Sequence, residues 1–284
     1  MARELAGKVI VITGASAGIG AATAVECARA GMDVVLNARR AERLDDIARE
    51  IRALGRGAEV VAGDVTDAGL ENRLLDAATQ RFGGFYAVLA NAGYGIYRQV
   101  HEMPEAELRQ IFEVNFFAAT RLVCEAARRL IAAGRAGHLL MTSSAAAKFT
   151  FPDSGGYSAT KAAQNHICRE MRLELRPHRI EVSSIHPIMT RTEFFDVAIE
   201  KSGPEAHAEN HLERSPSFLI QTPEVVARAV VHCLKYPVPE VWTSRAVEGL
   251  AGVLTAFPGM ADRLATLRSK KQGAASNGGA RVQR

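Results

Sequence analysis

The sequence predicts an α/β protein with a doubly wound parallel sheet (Rossmann-like) of about seven strands and helices on both faces. Short apolar, β-branched runs alternate with longer helical patterns along most of the chain, which is typical of strands joined by helical crossovers. The first run, residues 9–12, is apolar throughout and ends in a glycine-rich turn, as expected of a buried parallel strand. The segments with candidate chemistry follow the ends of these runs, where ligands of this architecture bind.

The elements follow one another regularly up to residue 192. Predicted strands cover 9–12, 34–36, 60–61, 88–90, 138–142 and 180–185, and predicted helices cover 19–30, 41–54, 70–82, 105–133 (one long helix or two in series) and 156–175. Regularity then lapses over 193–221, which we interpret as a substrate lid.

The C-terminal part returns to a regular pattern. A helix begins at Thr222-Pro223 and runs to about residue 235, and a seventh strand covers 240–243. A helical extension is expected over 246–268, with an interruption at Pro258-Gly259. Its apolar part, residues 247–260, is expected to be a packed helix, and an interface or a loose membrane contact is the alternative. Residues 1–268 therefore form a single predicted domain, and the polar, glycine-rich residues 269–284 a predicted disordered tail.

Composition excludes several classes of protein. The chain has 284 residues, of which 48% are hydrophobic, and a net charge of +4; it shows no basic run interleaved with aromatic residues, so nucleic-acid binding is not expected. No apolar stretch reaches the ~18 residues that indicate a membrane span. The N-terminus enters the first strand without an apolar signal segment, and the four cysteines lack a C-x-x-C spacing. We therefore expect a cytoplasmic protein with reduced thiols and no metal site.

The first turn has the features of a phosphate-binding loop. Residues 13–20 read TGASAGIG and lie between the first strand and the first helix. Glycines let the backbone approach a pyrophosphate, and the helix N-terminus supplies free N–H groups. The candidate cofactor-binding residues here are Gly14, Ser16, Gly18, Ile19 and Gly20. A glycine-rich turn of purely structural use is the alternative.

The ends of the next strands carry further candidate cofactor contacts. A carboxylate after the second strand would bind the ribose of NAD, but the chain reads Asn-Ala-Arg-Arg there, so Arg39 favours NADP(H) over NAD(H). Asp64 and Val65 follow the third strand, where an adenine can rest. The alternatives are a solvated helix entry for Arg39 and a turn or cap residue for Asp64. After the fourth strand, Asn91-Ala92-Gly93 suits a close approach of the backbone to the cofactor.

The candidate acid/base centre is Tyr157 with Lys161. Two residues four apart on a helix lie on the same face, and a neighbouring ammonium lowers the pKa of a phenol from its usual value near ~10. Ser144 lies thirteen residues before Tyr157. Asn115 interrupts an apolar helical pattern; it either kinks the helix and holds a water or is a hydrogen-bonded core residue.

With these segments together, the chain resembles the short-chain dehydrogenase/reductase family over about residues 5–245. The resemblance rests on TGASAGIG, Asn91-Ala92-Gly93, Asn115, Ser144 and the Tyr157/Lys161 pair. It implies that Tyr157 exchanges the proton on the substrate oxygen and that Lys161 lowers the tyrosine's pKa and binds the nicotinamide ribose. It further implies that Ser144 hydrogen-bonds the carbonyl and that Asn115 holds a water in a proton relay.

The resemblance has departures as well as matches. Ala90 and Tyr86 replace the family's usual Asn and Asp around the fourth strand. Pro187-Ile188 replaces the usual Pro-Gly after the sixth strand, where Pro187, Ile188 and Thr192 are the candidate contacts to the cofactor. None of these changes affects the residues assigned to proton transfer.

The expected reaction is hydride transfer between NADP(H) and a carbonyl or secondary alcohol. Aromatic and apolar residues in three loops should flank one cleft and favour a lipophilic substrate; they are Tyr94, Ile96, Tyr97, Phe149, Phe151, Met189, Phe194 and Phe195. Packing of the lid is the alternative use for these side chains. The resemblance also implies a homodimer or homotetramer through residues 105–133 and 157–175.

Two other classes of function remain open at this point. One is a non-catalytic NADP(H)-binding regulator or scaffold on the same fold, against which the presence of Tyr157 and Lys161 argues. The other is a lyase or epimerase on a nucleotide-binding fold, for which little chain remains after residue 245.

Overall fold

Strands and helices alternate along the chain in the order that the sequence predicts. The computed structural model describes residues 2–203 and 217–260. The strands are β1 (Val9–Thr13), β2 (Asp33–Ala38), β3 (Ala58–Ala62), β4 (Ala87–Ala90), β5 (Gly137–Thr142), β6 (Ile180–His186), β7 (Met189–Thr190), β8 (Ile220–Gln221) and β9 (Glu240–Trp242). The helices are α1 (Gly18–Arg29), α2 (Ala41–Ala53), α3 (Leu70–Phe82), α4 (Glu105–Phe112), α5 (Ala119–Ala132), α6 (Gly155–Glu174), α7 (Phe194–Ser202), α8 (Pro223–Lys235) and α9 (Arg245–Ala256).

Seven strands form one parallel sheet in the order β3-β2-β1-β4-β5-β6-β9. Strands β2 and β3 lie on one side of β1, and β4, β5, β6 and β9 lie on the other, so the winding direction reverses between β1 and β4. The crevice at such a reversal is the usual ligand site of this architecture. The predicted doubly wound fold and strand number are confirmed.

Both faces of the sheet are covered, which explains the unbroken apolar run of β1. Ile10 and Ile12 pack on one face with α1, α2 and α8, while Val9 and Val11 pack on the other with α3, α5 and α6. Successive side chains of a strand point to opposite faces, so β1 needs an apolar residue at every position. The resulting scaffold holds the carboxyl ends of β1, β4, β5 and β6 at one edge.

The expectation that residues 193–221 lack regular structure is wrong at its start. Residues 194–202 form α7, because Ala198 and Ser202 are buried and the helix packs against the loop after β4. A β-carbon at Gly95 would lie 2.8 Å from the Phe194 ring, and the Tyr97 amide donates to the Ser202 hydroxyl (2.8 Å). The rest of the predicted lid includes residues 204–216, which lie outside the described residues.

The C-terminal region differs in its packing from the prediction. Helix α9 begins at Arg245 behind the cap residue Ser244, whose hydroxyl accepts from the Val247 amide, and it ends at Ala256, just before Pro258. Of its side chains, Ala251 alone is classed as buried, so the expected packed helix is mostly exposed. Residues 261–268 of the predicted extension and the predicted tail 269–284 lie outside the described residues. Within residues 2–203 and 217–260, no helix is long and apolar enough to cross a membrane.

Candidate active site

The glycine-rich loop forms a close-fitting cradle between β1 and α1. Gly14 and Gly18 have left-handed backbones (φ 66° and 54°), which glycine adopts readily. A β-carbon at Gly14 would lie 2.9 Å from the Ala92 Cα, and one at Gly20 would lie 2.2 Å from the Gly14 carbonyl oxygen. Ala17 precedes α1, and its methyl group cannot cap the first N–H groups. These residues fit a bound pyrophosphate, as the sequence predicts.

Gly20→Ala should therefore destabilise the protein and abolish dinucleotide binding. The added methyl group has no space beside the Gly14 carbonyl, and overpacking of this kind costs about 1–3 kcal/mol or more. Chemical denaturation and a cofactor titration measure the two effects. The control is Gly252→Ala in α9, where a β-carbon meets no atom within 4 Å; it should stabilise by up to about 1 kcal/mol. A Gly20→Ala protein with normal stability and binding would contradict the role of the cradle.

Asn91 holds this loop against the end of β4. Its side-chain amide donates to the carbonyl oxygens of Thr13 (3.1 Å) and Gly14 (3.3 Å), and its side-chain oxygen accepts from the Thr142 hydroxyl (3.0 Å). The Thr13 hydroxyl in turn accepts from the amides of Asn91 and Ala92. Asn91 thus positions the cradle with its side chain, while Gly93 stays exposed at the cleft.

The arginines after β2 lie at the same edge of the sheet. Arg39 is 73% exposed and lies 3.8 Å from a carboxylate oxygen of Asp64. Asp64 also accepts from the amide and hydroxyl of Thr66, so it acts as a turn residue. Burial alone would raise the pKa of Asp64, but these hydrogen bonds and the charge of Arg39 lower it. Val65, next along the chain, lines a narrow cleft with Thr13 and Ala92.

Tyr157 lies near the start of α6 and is half-buried. Ser144 lies close enough to the phenol to lower the pKa of Tyr157, against the larger effect of burial, and the Ser144 hydroxyl accepts from the Ala146 amide (3.1 Å). The Phe194 ring of α7 covers the Tyr157 ring at a centroid distance of 5.4 Å. The structure therefore brings the predicted serine and tyrosine together beneath a helix that was predicted as loop.

Lys161 is buried one turn further along α6, with 4% of its surface exposed. Its ammonium donates to the Thr142 carbonyl (2.7 Å) and to the Gln164 side-chain oxygen (3.0 Å). A β-carbon at Gly93 would lie 3.5 Å from the nitrogen, which places the nitrogen at the floor of the cleft. Burial lowers the pKa of Lys161 to about 7.

The expected lowering of the Tyr157 pKa by Lys161 does not occur. Burial raises the pKa of the phenol to about 12, and the opposing influence is the hydrogen bond with Ser144. Lys161 points its nitrogen at Thr142 and Gln164, 5.7 Å from the centre of the tyrosine ring. Loss of solvent contact therefore determines the pKa of Tyr157, rather than the charge of Lys161 that the four-residue spacing on the helix suggests.

Asn115 lies in a π-helical turn, Glu113–Ala118, that joins α4 to α5. Its side chain is fully buried: it accepts from the Tyr94 amide (3.0 Å) and donates to the Tyr94 carbonyl (2.9 Å) and the Thr160 hydroxyl (3.2 Å). The Asn115 backbone carbonyl accepts from the Gln164 amide group (2.6 Å). Gln164 thus bridges Lys161 and Asn115, a link that the sequence analysis missed; its only signal is a polar residue three after Lys161 on the same helix.

The sequence analysis also missed His186, whose ring contacts the backbone of Ser144. The His186 ring nitrogen Nδ1 lies 3.0 Å from the Ser144 carbonyl oxygen, and burial lowers the pKa of His186 to about 4. Glu240 accepts from Asn165 (3.0 Å) and pairs with Lys148 (3.2 Å). Burial alone would raise the pKa of Glu240, but these hydrogen bonds and charges lower it to about 2. Ser143, the residue before Ser144, is buried, and its hydroxyl donates to the Lys161 carbonyl (2.8 Å).

The segment after β6 closes against the glycine-rich loop. The Pro187 carbonyl accepts from the Ala145 amide (3.0 Å). The family's usual glycine is not required at position 188, because Ile188 does not have a left-handed backbone. Among the described residues, the non-glycine residues with a positive φ are Asp153 and Arg179. The Thr192 methyl group lies 2.9 Å from the position of a β-carbon at Gly18.

The residues predicted to bind substrate fall into two groups. Phe194 lies on Tyr157, and Phe195 packs edge-on against Phe194 (5.5 Å). Tyr97 is buried, and its pKa is raised by burial and by the nearby Tyr157. The other aromatic residues make separate contacts: Tyr94 lies under the Lys201 ammonium (4.6 Å), and Phe149 packs on Phe151, which is 45% exposed. Met189 is half-buried in β7.

Comparisons with known proteins agree with this geometry. Residues 8–202 match the family model for short chain dehydrogenases. The chain therefore belongs to the short chain dehydrogenase family of NAD(P)-dependent oxidoreductases. Among the residues that the structure describes, no group of three or more His, Cys, Asp or Glu side chains is placed to hold a metal ion.

Relatives in this family differ widely in length and name. A glycine betaine reductase of Emericella nidulans is 31% identical over 82% of this chain, but the chain spans 18% of that protein's length. A (-)-trans-carveol dehydrogenase of Rhodococcus erythropolis is 33% identical over 66% of this chain and 72% of its own.

Solved structures of the same fold contain either type of nicotinamide cofactor. A short chain dehydrogenase/reductase from Burkholderia phymatum in complex with NAD has a TM-score of 0.78 at 26% identity, over 88% of this chain and 93% of its own. An alcohol dehydrogenase from Thermococcus sibiricus with 5-hydroxy-NADP has a TM-score of 0.70 at 31% identity, over 83% of this chain and 95% of its own.

Proposed function

We propose that this protein interconverts a carbonyl compound and a secondary alcohol with NADP(H), using Tyr157 as the general acid/base. The observation that carries the proposal is the approach of Tyr157 to Ser144 beside buried Lys161, at the edge of the glycine-rich cradle. When bound, the nicotinamide cofactor supplies or accepts the hydride. The protein's own residues orient the substrate and move the proton.

Each residue of the centre has a distinct task in this proposal. Ser144 donates to the substrate oxygen and orients the phenol of Tyr157, which gives or takes the proton on that oxygen. Lys161 would contact the ribose from the cleft floor, where its nitrogen donates to Thr142 and Gln164. Asn115 fixes the loop that carries Tyr94, and it connects to Lys161 through Gln164.

The preference for NADP(H) is proposed from the charges after β2. No carboxylate follows β2 directly, and the buried Asn37 there uses its side-chain amide on the carbonyl oxygens of Val61 (2.9 Å) and Gly63 (3.2 Å). The exposed guanidinium of Arg39 can pair with a 2′-phosphate through two parallel hydrogen bonds.

Arg39→Asp should shift the cofactor preference toward NADH. The new carboxylate repels a 2′-phosphate and accepts from a ribose 2′-hydroxyl, so the ratio of NADPH to NADH affinity should fall by about tenfold or more. Competitive titrations of the two cofactors measure that ratio. Arg49→Asp, an exposed charge change at a later position in α2, is the matched control. Unchanged selectivity in the Arg39 variant would assign the 2′-phosphate to another residue.

An apolar substrate is the third part of the proposal. Support comes from the Phe194 ring, which lies on Tyr157, from Phe195, which packs edge-on against Phe194, and from Tyr97, which is buried near Tyr157. A relative named as a carveol dehydrogenase supports an alcohol or ketone as the reacting group. Lipophilic ketones, aldehydes and secondary alcohols are therefore the compounds to screen first.

The test of the whole proposal is oxidation of NADPH against a panel of carbonyl compounds of graded polarity. We expect turnover that rises with the apolar character of the substrate. Binding of NADPH without turnover on any member of a broad panel would favour the non-catalytic regulator instead.

The oligomeric state is part of the same proposal. Apolar side chains remain exposed on α6 and on the helical run through α5, namely Phe117 (48%), Ile131 (38%) and Leu173 (69%). A homodimer or homotetramer through these helices would cover them, which sedimentation measurements can test. A cytoplasmic location also stays a prediction.

A further inference from the structure

A single carboxylate ties the start of α7 to the start of α2. Glu193 immediately precedes α7, and its two oxygens bond Arg40 (2.9 Å) and Arg43. The Arg40 guanidinium also donates to the Ser16 hydroxyl of the glycine-rich loop, at 3.1 Å and 3.4 Å from its two nitrogens. One arginine therefore connects the phosphate cradle, the helix after β2 and the helix that covers the active site.

Neighbouring contacts bring this carboxylate to the rim of the cradle. The Thr192 methyl group lies against Gly18, and the Thr192 hydroxyl accepts from the Phe194 amide (3.3 Å). Phe194 in turn lies on the Tyr157 ring. The position of Glu193 is thus linked at one end to the cofactor cradle and at the other to the acid/base centre.

Glu193 pairs with two arginines, Arg40 and Arg43, that a phosphate at this edge of the sheet would bind. The hydrogen bonds from Arg43 and Arg40 lower the pKa of Glu193, so it is ionised at neutral pH. A guanidinium presents a planar fork that suits one carboxylate or one phosphate at a time. The side chains of Glu193, Arg40 and Arg43 are 44–50% exposed, so an incoming anion can reach both arginines.

We propose that Glu193 is a specificity-determining residue: an internal competitor that holds Arg40 and Arg43 until the 2′-phosphate of NADP(H) displaces it. This inference rests on the proposed use of NADP(H). NAD(H) carries a hydroxyl in place of that phosphate and does not compete for the arginines. Removing the Glu193 charge should therefore strengthen binding of phosphorylated ligands alone.

The experiment measures equilibrium binding of four probes to the full chain: NADPH, NADH, 2′,5′-ADP and 5′-AMP. Glu193→Gln should bind NADPH and 2′,5′-ADP about three- to tenfold more tightly than wild type, with NADH and 5′-AMP unchanged. The gain should shrink at high salt, because both competing interactions are exposed and screened. Glu200→Gln removes one negative charge from the exposed side of the same helix and should change no affinity.

Two further measurements separate competition from a fold defect. Glu193→Asp keeps the carboxylate and should stay closer to wild type than Glu193→Gln in its affinity for 2′,5′-ADP. Hydrogen exchange over Phe194–Ser202 should be faster in Glu193→Gln than in Glu200→Gln, because the tie to α2 is lost.

The outcomes distinguish this inference from the proposed function. A wild-type protein that binds 2′,5′-ADP no better than 5′-AMP would overturn the NADP(H) assignment and the inference together. A wild type that prefers 2′,5′-ADP, with Glu193→Gln shifting all four probes equally or none, would overturn the role of Glu193 alone.

Discussion

Tyr157→Phe is expected to lower turnover by about 10²- to 10⁴-fold, the usual contribution of a positioned acid/base group. The variant keeps the ring that Phe194 covers and loses only the hydroxyl that lies near Ser144. Binding of NADPH should therefore stay within about twofold of wild type. Stopped-flow oxidation of NADPH and a separate cofactor titration measure the two quantities.

The control for this variant is Tyr236→Phe. Tyr236 follows α8, is 47% exposed and packs on His232, so its hydroxyl should have no bearing on turnover. Turnover by Tyr157→Phe at the Tyr236→Phe level would rule out Tyr157 as the acid/base. A thermal melt of both variants excludes loss of fold as the cause.

Lys161→Met is expected to abolish turnover while leaving the protein at least as stable as wild type near pH 7. The methionine fills a similar volume and removes an ammonium whose burial is unfavourable, although two hydrogen bonds are lost with it. Loss of activity with retained stability is typical of a group kept for chemistry rather than for folding.

The pH dependence of this difference follows from the lowered pKa of Lys161. Folding shifts the pKa from 10.5 to about 7, so between these values the unfolded chain binds more protons than the folded one. Wild-type stability relative to Lys161→Met should therefore rise with pH, by at most about 1.4 kcal/mol per unit above pH 7. It should level off below pH 7, where both states carry the proton.

Urea denaturation between pH 6 and about pH 9 measures this difference. Lys235→Met, at the half-exposed end of α8, is the control and should follow the wild-type profile. If the free energies of unfolding of wild type and Lys161→Met differed by the same amount across that range, burial would not be holding Lys161 in its neutral form.

The alternation of strands and helices along the chain, the position of the glycine-rich turn and the shared helix face of Tyr157 and Lys161 could be predicted, because each rests on short-range spacing. An apolar residue at every position of β1 indicates burial on both faces, and residues four apart on α6 must share a face. The glycines of the cradle are needed because Gly14 and Gly20 approach backbone atoms too closely for a side chain.

The course of residues 193–202 could not be predicted in the same way. The local pattern there mixes aromatic and charged residues, and helix α7 forms because Gly95 leaves space for Phe194. Tertiary packing of this kind outweighs weak local propensity. The contact that positions the helix, Glu193 to Arg43, joins residues 150 apart in the chain.

Spacing along the chain was enough to predict the architecture and to place Tyr157 and Lys161 on one helix face, since helix and strand periods fix which neighbours share a face. The family followed as a resemblance carried by the combined motifs, and the roles of these side chains stay a prediction. The proton affinities of those side chains depend instead on solvent exclusion by the assembled fold, which raises the pKa of Tyr157 and lowers that of Lys161. The supporting contacts of Gln164, His186 and Glu193 come from segments that meet only after folding. Burial and long-range contact are properties of the packed molecule, and no short window of sequence contains them.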